Sequence, residues 1–189
     1  AIKSKINIKK IFNIKKNFRK KNKTTPIILM GYFNPIFQFG LNSFFYNAVK
    51  SGIDGVIIVD LPPEEDTLID EFTKKNNIHN IRLIAPTTDS KRIKKISKSS
   101  KGFLYYVSVM GITGTKRPSE KIVERSVNSI RRFTKLPILV GFGINSYSQV
   151  SKISKFSDGC VVGSAIVKII EDSYSKKESD NTILKNIHN

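Results

Sequence analysis

Cysteine is almost absent from this chain of 189 residues. Cys160 is the only one, which excludes an internal disulfide and a cysteine-based zinc site and fits a reducing compartment. Acidic side chains are scarce, 15 against 33 lysines and arginines. The two histidines, His79 and His188, fall in a polar connection and in the tail, so neither is a credible general base. No apolar run approaches the roughly 20 residues of a membrane-spanning helix. The N-terminus is too basic and too interrupted for the core of a signal peptide.

What is present is size, positive charge and a regular alternation. With 39% hydrophobic residues the chain can bury one substantial core, so a single domain is expected. A formal charge of +18 ordinarily points to nucleic acid or another anionic surface. Here lysine, asparagine and isoleucine recur on helix faces and in loops alike, as an AT-rich genome would produce, and no specific nucleic-acid or membrane partner is expected. The densest basic region, Lys3 to Lys23, also carries an apolar helical stripe of Ile8, Ile11, Phe12, Ile14 and Phe18, which predicts a packed helix with a solvated basic face.

Short apolar runs alternate with helical patterns along the whole chain. Strands are predicted at 26–30, 55–59, 81–85, 102–107, 138–140 and 159–162, with helices over 6–21, over 41–50 with Phe44, Phe45, Ala48 and Val49 inward, from Glu64 to about Lys75, from Ser90, and near 119–133. A loop is expected at 31–35, where Pro35 ends the run PIILMGYFNP. Such alternation argues for parallel βαβ units. The domain reading is a basic helix over 1–25, barrel units over 26–171 and a polar tail over 172–189.

The stretch from Leu136 to Ile170 organises the rest. Ile138 to Val140 ends in Gly141-Phe142-Gly143, and Gly159 to Val162 ends in Gly163-Ser164, which opens the helical run Ala165 to Ile170. Two successive strands thus end in bare amides, and the second feeds a helix N-terminus, an arrangement that stabilises a phosphate without any lysine. In a (β/α)8 barrel such a site follows strands 7 and 8. Other strand ends supply Met30, Tyr32, Ile57, Val59, Tyr105 and Phe142, an apolar and aromatic lining that suits a flat ring joined to a phosphate. Gly111 to Thr115 forms a glycine- and hydroxyl-bearing loop that could serve as a lid. Asp60, between a strand and Pro62-Pro63, is read as a brace for the turn rather than a proton carrier.

At these residues the sequence resembles the tryptophan synthase α chain family. The resemblance rests on PIILMGYFNP (26–35), GIDGVIIVDLPPEE (52–65), GFLYYVSVMGITG (102–114), VGFGIN (140–145) and VGSAIVKII (162–170), in family order. It implies an α/β (β/α)8 TIM barrel, with about six of eight βα units in this chain, and retro-aldol cleavage of indole-3-glycerol phosphate. It implies phosphate contacts from Gly114, Gly143, Gly163 and Ser164, an indole pocket from Met30, Tyr32, Ile57, Val59, Tyr105 and Phe142, and Thr113 in the lid. Asn34, Pro35, Phe37 and Pro62 would lie in loops facing a β subunit in an α2β2 tetramer. No cofactor is implied for this chain, pyridoxal phosphate belonging to the β subunit, and no metal.

The resemblance also implies a catalytic glutamate and aspartate in a segment preceding Ala1, so the 189 residues alone are expected to lack lyase activity. Plastid stroma is favoured over bacterial or endosymbiont cytoplasm on composition. Two other readings stay open at this level. Indole-3-glycerol-phosphate synthase shares late phosphate loops but needs a lysine on a barrel strand, and no strand run here contains one. A basic RNA-binding protein would account for the charge.

Overall fold

The computed structural model describes residues 6–62, 65–108, 119–141 and 143–188. The chain divides into two compact units, Ala1–Leu83 with Ser90–Leu104, and Ile84–Asp89 with Tyr105–Asn189. The first runs α1 (Ile8–Lys21), β1 (Ile28–Gly31), α2 (Phe33–Phe39), α3 (Leu41–Ser51), β2 (Gly55–Ile58), α4 (Thr67–Lys75), β3 (His79–Asn80), β4 (Arg82–Ile84) and α5 (Ser90–Ser99). Its sheet has the order β1-β2-β3 and is parallel, with Leu29 opposite Val56, Met30 opposite Ile57 and Val56 opposite Asn80.

Alternation on these strands separates two faces. Val56 and Leu29 pack on the helix side, in a core of Phe12, Ile36, Phe44, Phe45, Ala48, Ile69 and Ile78. Phe45 stacks on Phe72 at 5.4 Å and Phe12 meets Phe44 at 5.6 Å, so aromatic contacts join α1, α3 and α4. Each such fully buried side chain contributes about 1.5–3 kcal/mol relative to exposure. Met30 and Ile57 occupy the opposite face of the sheet.

The basic opening helix is packed differently from its expected stripe. Ile14 and Phe18 are exposed, whereas Phe12 and Lys15 are buried. Lys15 Nζ donates to the Gly52 carbonyl at 2.7 Å and Arg19 Nε donates to the same oxygen at 3.0 Å. Gly52 is the left-handed C-cap of α3, so two cations sit on the negative end of that helix. Arg19 also reaches Asp54, whose carboxylate accepts the Ile27 amide at 2.7 Å. The lysine-rich face is therefore only partly a solvated one.

In the second unit follow β5 (Leu104–Val107), α6 (Glu120–Arg131), β6 (Ile138–Gly141), α7 (Tyr147–Ile153), β7 (Gly159–Val161), α8 (Ser164–Ser175) and α9 (Asp180–His188). The second sheet has the order β4-β5-β6-β7, and β6 and β7 are parallel with Leu139 opposite Gly159 and Gly141 opposite Val161. The Arg19–Asp54 device recurs here. Arg131 pairs with Asp158 at 2.7 Å, and that carboxylate accepts the Ile138 amide at 2.8 Å. In both places an aspartate preceding one strand ties the start of the neighbouring strand to an arginine on the preceding helix.

Four expectations need correction. Residues 33–39 are helical rather than loop, because Pro35 falls in the first turn, where an amide has no intrahelical acceptor to lose. Residues 172–189 are not a tail: α8 continues to Ser175, and α9 buries Ile183 and donates from Asn186 Nδ2 to Ser173 Oγ at 3.3 Å. His79 and Asn80, expected in a polar connection, form the short strand β3, ahead of β4 in the strand expected at 81–85. Val49, expected to face inward on α3, is exposed.

Candidate functional site

In the first unit the register puts Met30 beside Ile57 on the sheet face away from the helical core. Ile57 is buried, while Met30 and Tyr32, further along, are 58% and 64% exposed. Val59 is half-buried, and its amide donates to the Gly31 carbonyl at 3.0 Å, which extends the β1–β2 pairing past the last strand residues. Four of the six expected ring-binding residues, Met30, Tyr32, Ile57 and Val59, thus sit at or just beyond the carboxyl ends of two paired strands. Met30 and Tyr32 are open to solvent there rather than packed as core.

Tyr105 belongs to the second unit. It is 7% exposed, and burial raises the pKa of its hydroxyl. Its neighbour Tyr106 points to the helix side, where Ser126 of α6 is a hydrogen-bond partner, so Tyr105 faces the other way. There its ring lies directly on Gly141: a Cβ at that position would come within 2.5 Å of the Tyr105 ring and hydroxyl. Gly141 is required by this close approach.

The two glycine turns meet the condition the sequence sets for them. Since Gly141 pairs with Val161 in a parallel ladder, Gly143 and Gly163 each lie two residues beyond the same rung, at the same end of the sheet. Gly143 takes φ +75°, a left-handed conformation natural to glycine. Gly163 is the N-cap of α8 and makes no side-chain cap; a Cβ there would meet nothing within 4 Å. Ser164 is exposed at the first helical position. The first turn of a twelve-residue helix therefore begins without a side-chain cap, at the positive end of its dipole. Gly114, Thr113 and Phe142 lie outside the described residues. Ser108, which sequence reasoning passed over, is buried and donates through both its amide and its hydroxyl to the Gly141 carbonyl at 3.0 Å, which fixes the chain just before that segment.

Carboxylates near strand ends are already engaged. Asp60 accepts the Phe33 amide at 2.7 Å, so it braces the turn as expected. Asp54 and Asp158 hold strand starts. Asp66 is buried against Arg82 and accepts from Asn80 at 3.0 Å, while Arg82 also pairs with Asp70 at 2.9 Å. Burial pushes Asp66 up to a pKa of about 6, against the pull of Arg82 and Asn80. This cluster was missed because Arg82 reads as an ordinary strand residue in the sequence. Among the described residues no group of histidines, cysteines and carboxylates is placed to hold a metal. Of the residues expected to face a β subunit, Asn34, Pro35 and Phe37 are exposed, on α2 rather than in a loop, and Pro62 is half-buried after β2.

Parallel strands alternating with helices, with paired glycine turns and an uncapped helix N-terminus after the last two strands, define a protein of the parallel α/β class. The comparisons agree and are more specific. The sequence matches the tryptophan synthase alpha chain family over residues 1–189. It is 41% identical to the tryptophan synthase alpha chain of Zymomonas mobilis over 187 residues, 99% of this chain and 68% of the relative. The fold superposes on the Legionella pneumophila alpha chain with a TM-score of 0.87 at 34% identity, covering 99% of this chain and 68% of that one. A chain from the Pyrococcus furiosus tryptophan synthase a2b2 complex gives 0.86 at 34% identity, covering 99% and 75%. The chain belongs to the tryptophan synthase alpha chain family, a lyase family of (β/α)8 barrels, and the resemblance to indole-3-glycerol-phosphate synthase or to an RNA-binding protein is not favoured. Alpha chains of this family carry no cofactor; pyridoxal phosphate belongs to the β subunit.

Proposed function

We propose that this chain binds indole-3-glycerol phosphate as the α component of tryptophan synthase, with the phosphate on the amides of Gly143, Gly163 and Ser164 and the indole ring against Tyr105 of the same unit. By the family resemblance Gly114 is assigned to the phosphate set and Phe142 to the ring set. The observation that carries the reading is the β6–β7 register, which leaves two glycine turns and one uncapped helix start at the same end of a sheet. A dianion there gains amide hydrogen bonds and the helix dipole together.

Retro-aldol cleavage breaks the bond between ring carbon 3 and the glycerol side chain. Carbon 3 gains a proton, the indole nitrogen gives one up and regains it, and the side-chain hydroxyl loses its proton as it becomes the aldehyde of glyceraldehyde 3-phosphate. Carboxylates held in an apolar slot suit that work. Asp54, Asp60, Asp66 and Asp158 are each committed to amides or arginines. With those four engaged, we infer that the 189-residue polypeptide is a binding component without lyase activity of its own. In the cell it acts with a β subunit in an α2β2 assembly, docking through Asn34, Pro35, Phe37 and Pro62. Its lysine- and asparagine-rich composition points to plastid stroma.

Calorimetric titration with indole-propanol phosphate tests the binding. Saturable binding is expected, weakened at least about tenfold by Gly163→Asp, a loss of about 1.4 kcal/mol. Aspartate is a favoured N-cap, so this variant keeps its helix while its carboxylate takes the anion's place. Equal affinity in the variant would contradict the proposal.

A further inference from the structure

We propose that Ser108 and Gln149 are positioning residues that hold the Gly143 turn from both ends and so aim its amide at the phosphate. The inference rests on the function proposed above and deepens it. All the groups concerned lie in the second unit. Gly143 is exposed and takes φ +75°, but glycine visits positive and negative φ about equally readily, so its own chemistry does not select that conformation. Selection has to come from the residues on either side.

Before the turn, the Gly141 carbonyl belongs to the peptide next to the one that carries the Gly143 N–H, so its direction sets where that amide starts. Ser108 is buried one residue past the end of β5, and its amide and hydroxyl both donate to this oxygen at 3.0 Å. The amide bond continues the pairing of β5 with its neighbour β6, while the hydroxyl is an added donor that fills the second lone pair. After the turn, Gln149 Oε1 accepts the Asn145 amide at 2.9 Å, and the Gln149 amide donates to Ser146 Oγ at 3.4 Å. This is the reciprocal pairing of a capping box, with the glutamine reaching back one residue further than usual. Ile144, between Gly143 and Asn145, is buried. The peptides flanking Gly143 are thus fixed by side chains on both sides, and a bound anion finds that amide already directed.

The test is titration of the 189-residue chain with indole-propanol phosphate, followed through the amide shifts of Gly143 and Ser164. In the wild type both should move together to saturation. Ser108→Ala keeps the amide bond to Gly141 and loses only the hydroxyl; it should bind at least about threefold more weakly, the size of effect one neutral hydrogen bond can exert. At saturation its Gly143 shift should fall to about half or less of the wild-type value, as a glycine released to either sign of φ would give, while the Ser164 shift stays. Gln149→Ala should do the same from the other end. A merely structural loss would lower the urea midpoint and shrink neither shift, or both in proportion.

Unchanged affinity or an unchanged Gly143 shift in either variant overturns the proposal, as do shifts at Gly143 and Ser164 that shrink in proportion. If Ser108→Ala does not fold, Gln149→Ala decides by the same readings, since it alters only an exposed bond. A wild type that binds and moves Ser164 but not Gly143 overturns the positioning alone, whereas a wild type that does not bind indole-propanol phosphate overturns the function itself.

Discussion

Asp66 carries a titration that can be read directly in stability. Its carboxyl is pushed up to about 6 by burial, from an ordinary value of 3.8, with Arg82, Asn80 and Asp70 around it. Between those values the folded chain keeps the proton that the unfolded chain has lost. Folding is thus favoured by this group at low pH, and its contribution falls as pH rises from about 4 to about 6, by up to about 3 kcal/mol. Asp158 works the other way, its carboxyl held low by the Ile138 amide, so its contribution is present above the usual carboxylate range and is lost as pH falls. Urea midpoints of wild type and Asp66→Asn at pH 4.5 and 7 separate the two. The variant should gain relative to wild type as pH rises, and a constant difference would contradict the assignment. At Gly141 the Tyr105 ring leaves no room for a Cβ. Gly141→Ala should cost about 1–3 kcal/mol in urea unfolding and weaken indole-propanol phosphate binding by displacing the ring.

Among elements, the opening helix is fastened by charge as much as by grease. Lys15 and Arg19 converge on the Gly52 carbonyl at the end of α3. Lys15→Ala should therefore destabilise the chain by about 2 kcal/mol, read as a urea midpoint, and Lys15→Met, which keeps the apolar stem, should recover part of the loss. Equal losses in both variants would point to the ammonium alone. No window of sequence could announce this contact, because Gly52 lies 37 residues beyond Lys15. The strands were legible for the opposite reason. Each predicted run is short and apolar, four of the six are closed directly by glycine or proline, and the pattern is local. α2 was obscured by Pro35, whose usual meaning as a breaker does not hold in a first turn, and α9 by its polar composition, since Ile183 is its one buried hydrophobic residue among those described.

Across the whole molecule the alternation of strands and helices conveyed the barrel, and the paired glycines conveyed two turns at one end of a sheet, because both are properties of spacing. The contacts of Asp66 and those of Ser108 were hidden, since each depends on which groups tertiary structure brings together. Two outcomes belong at this scale. The purified 189-residue chain should release no indole from indole-3-glycerol phosphate; measurable release would show that carboxylates committed here to amides and arginines can still do the chemistry. The more direct measurement is amide chemical-shift mapping on addition of indole-propanol phosphate. Binding at the glycine turns predicts saturable shifts at Gly143, Gly163, Ser164 and Ala165 that persist in moderate salt, because directed amide hydrogen bonds depend less on long-range charge than contacts to exposed lysines do. Shifts confined to the lysine-rich faces of α1 and α5, and abolished by salt, would contradict the account.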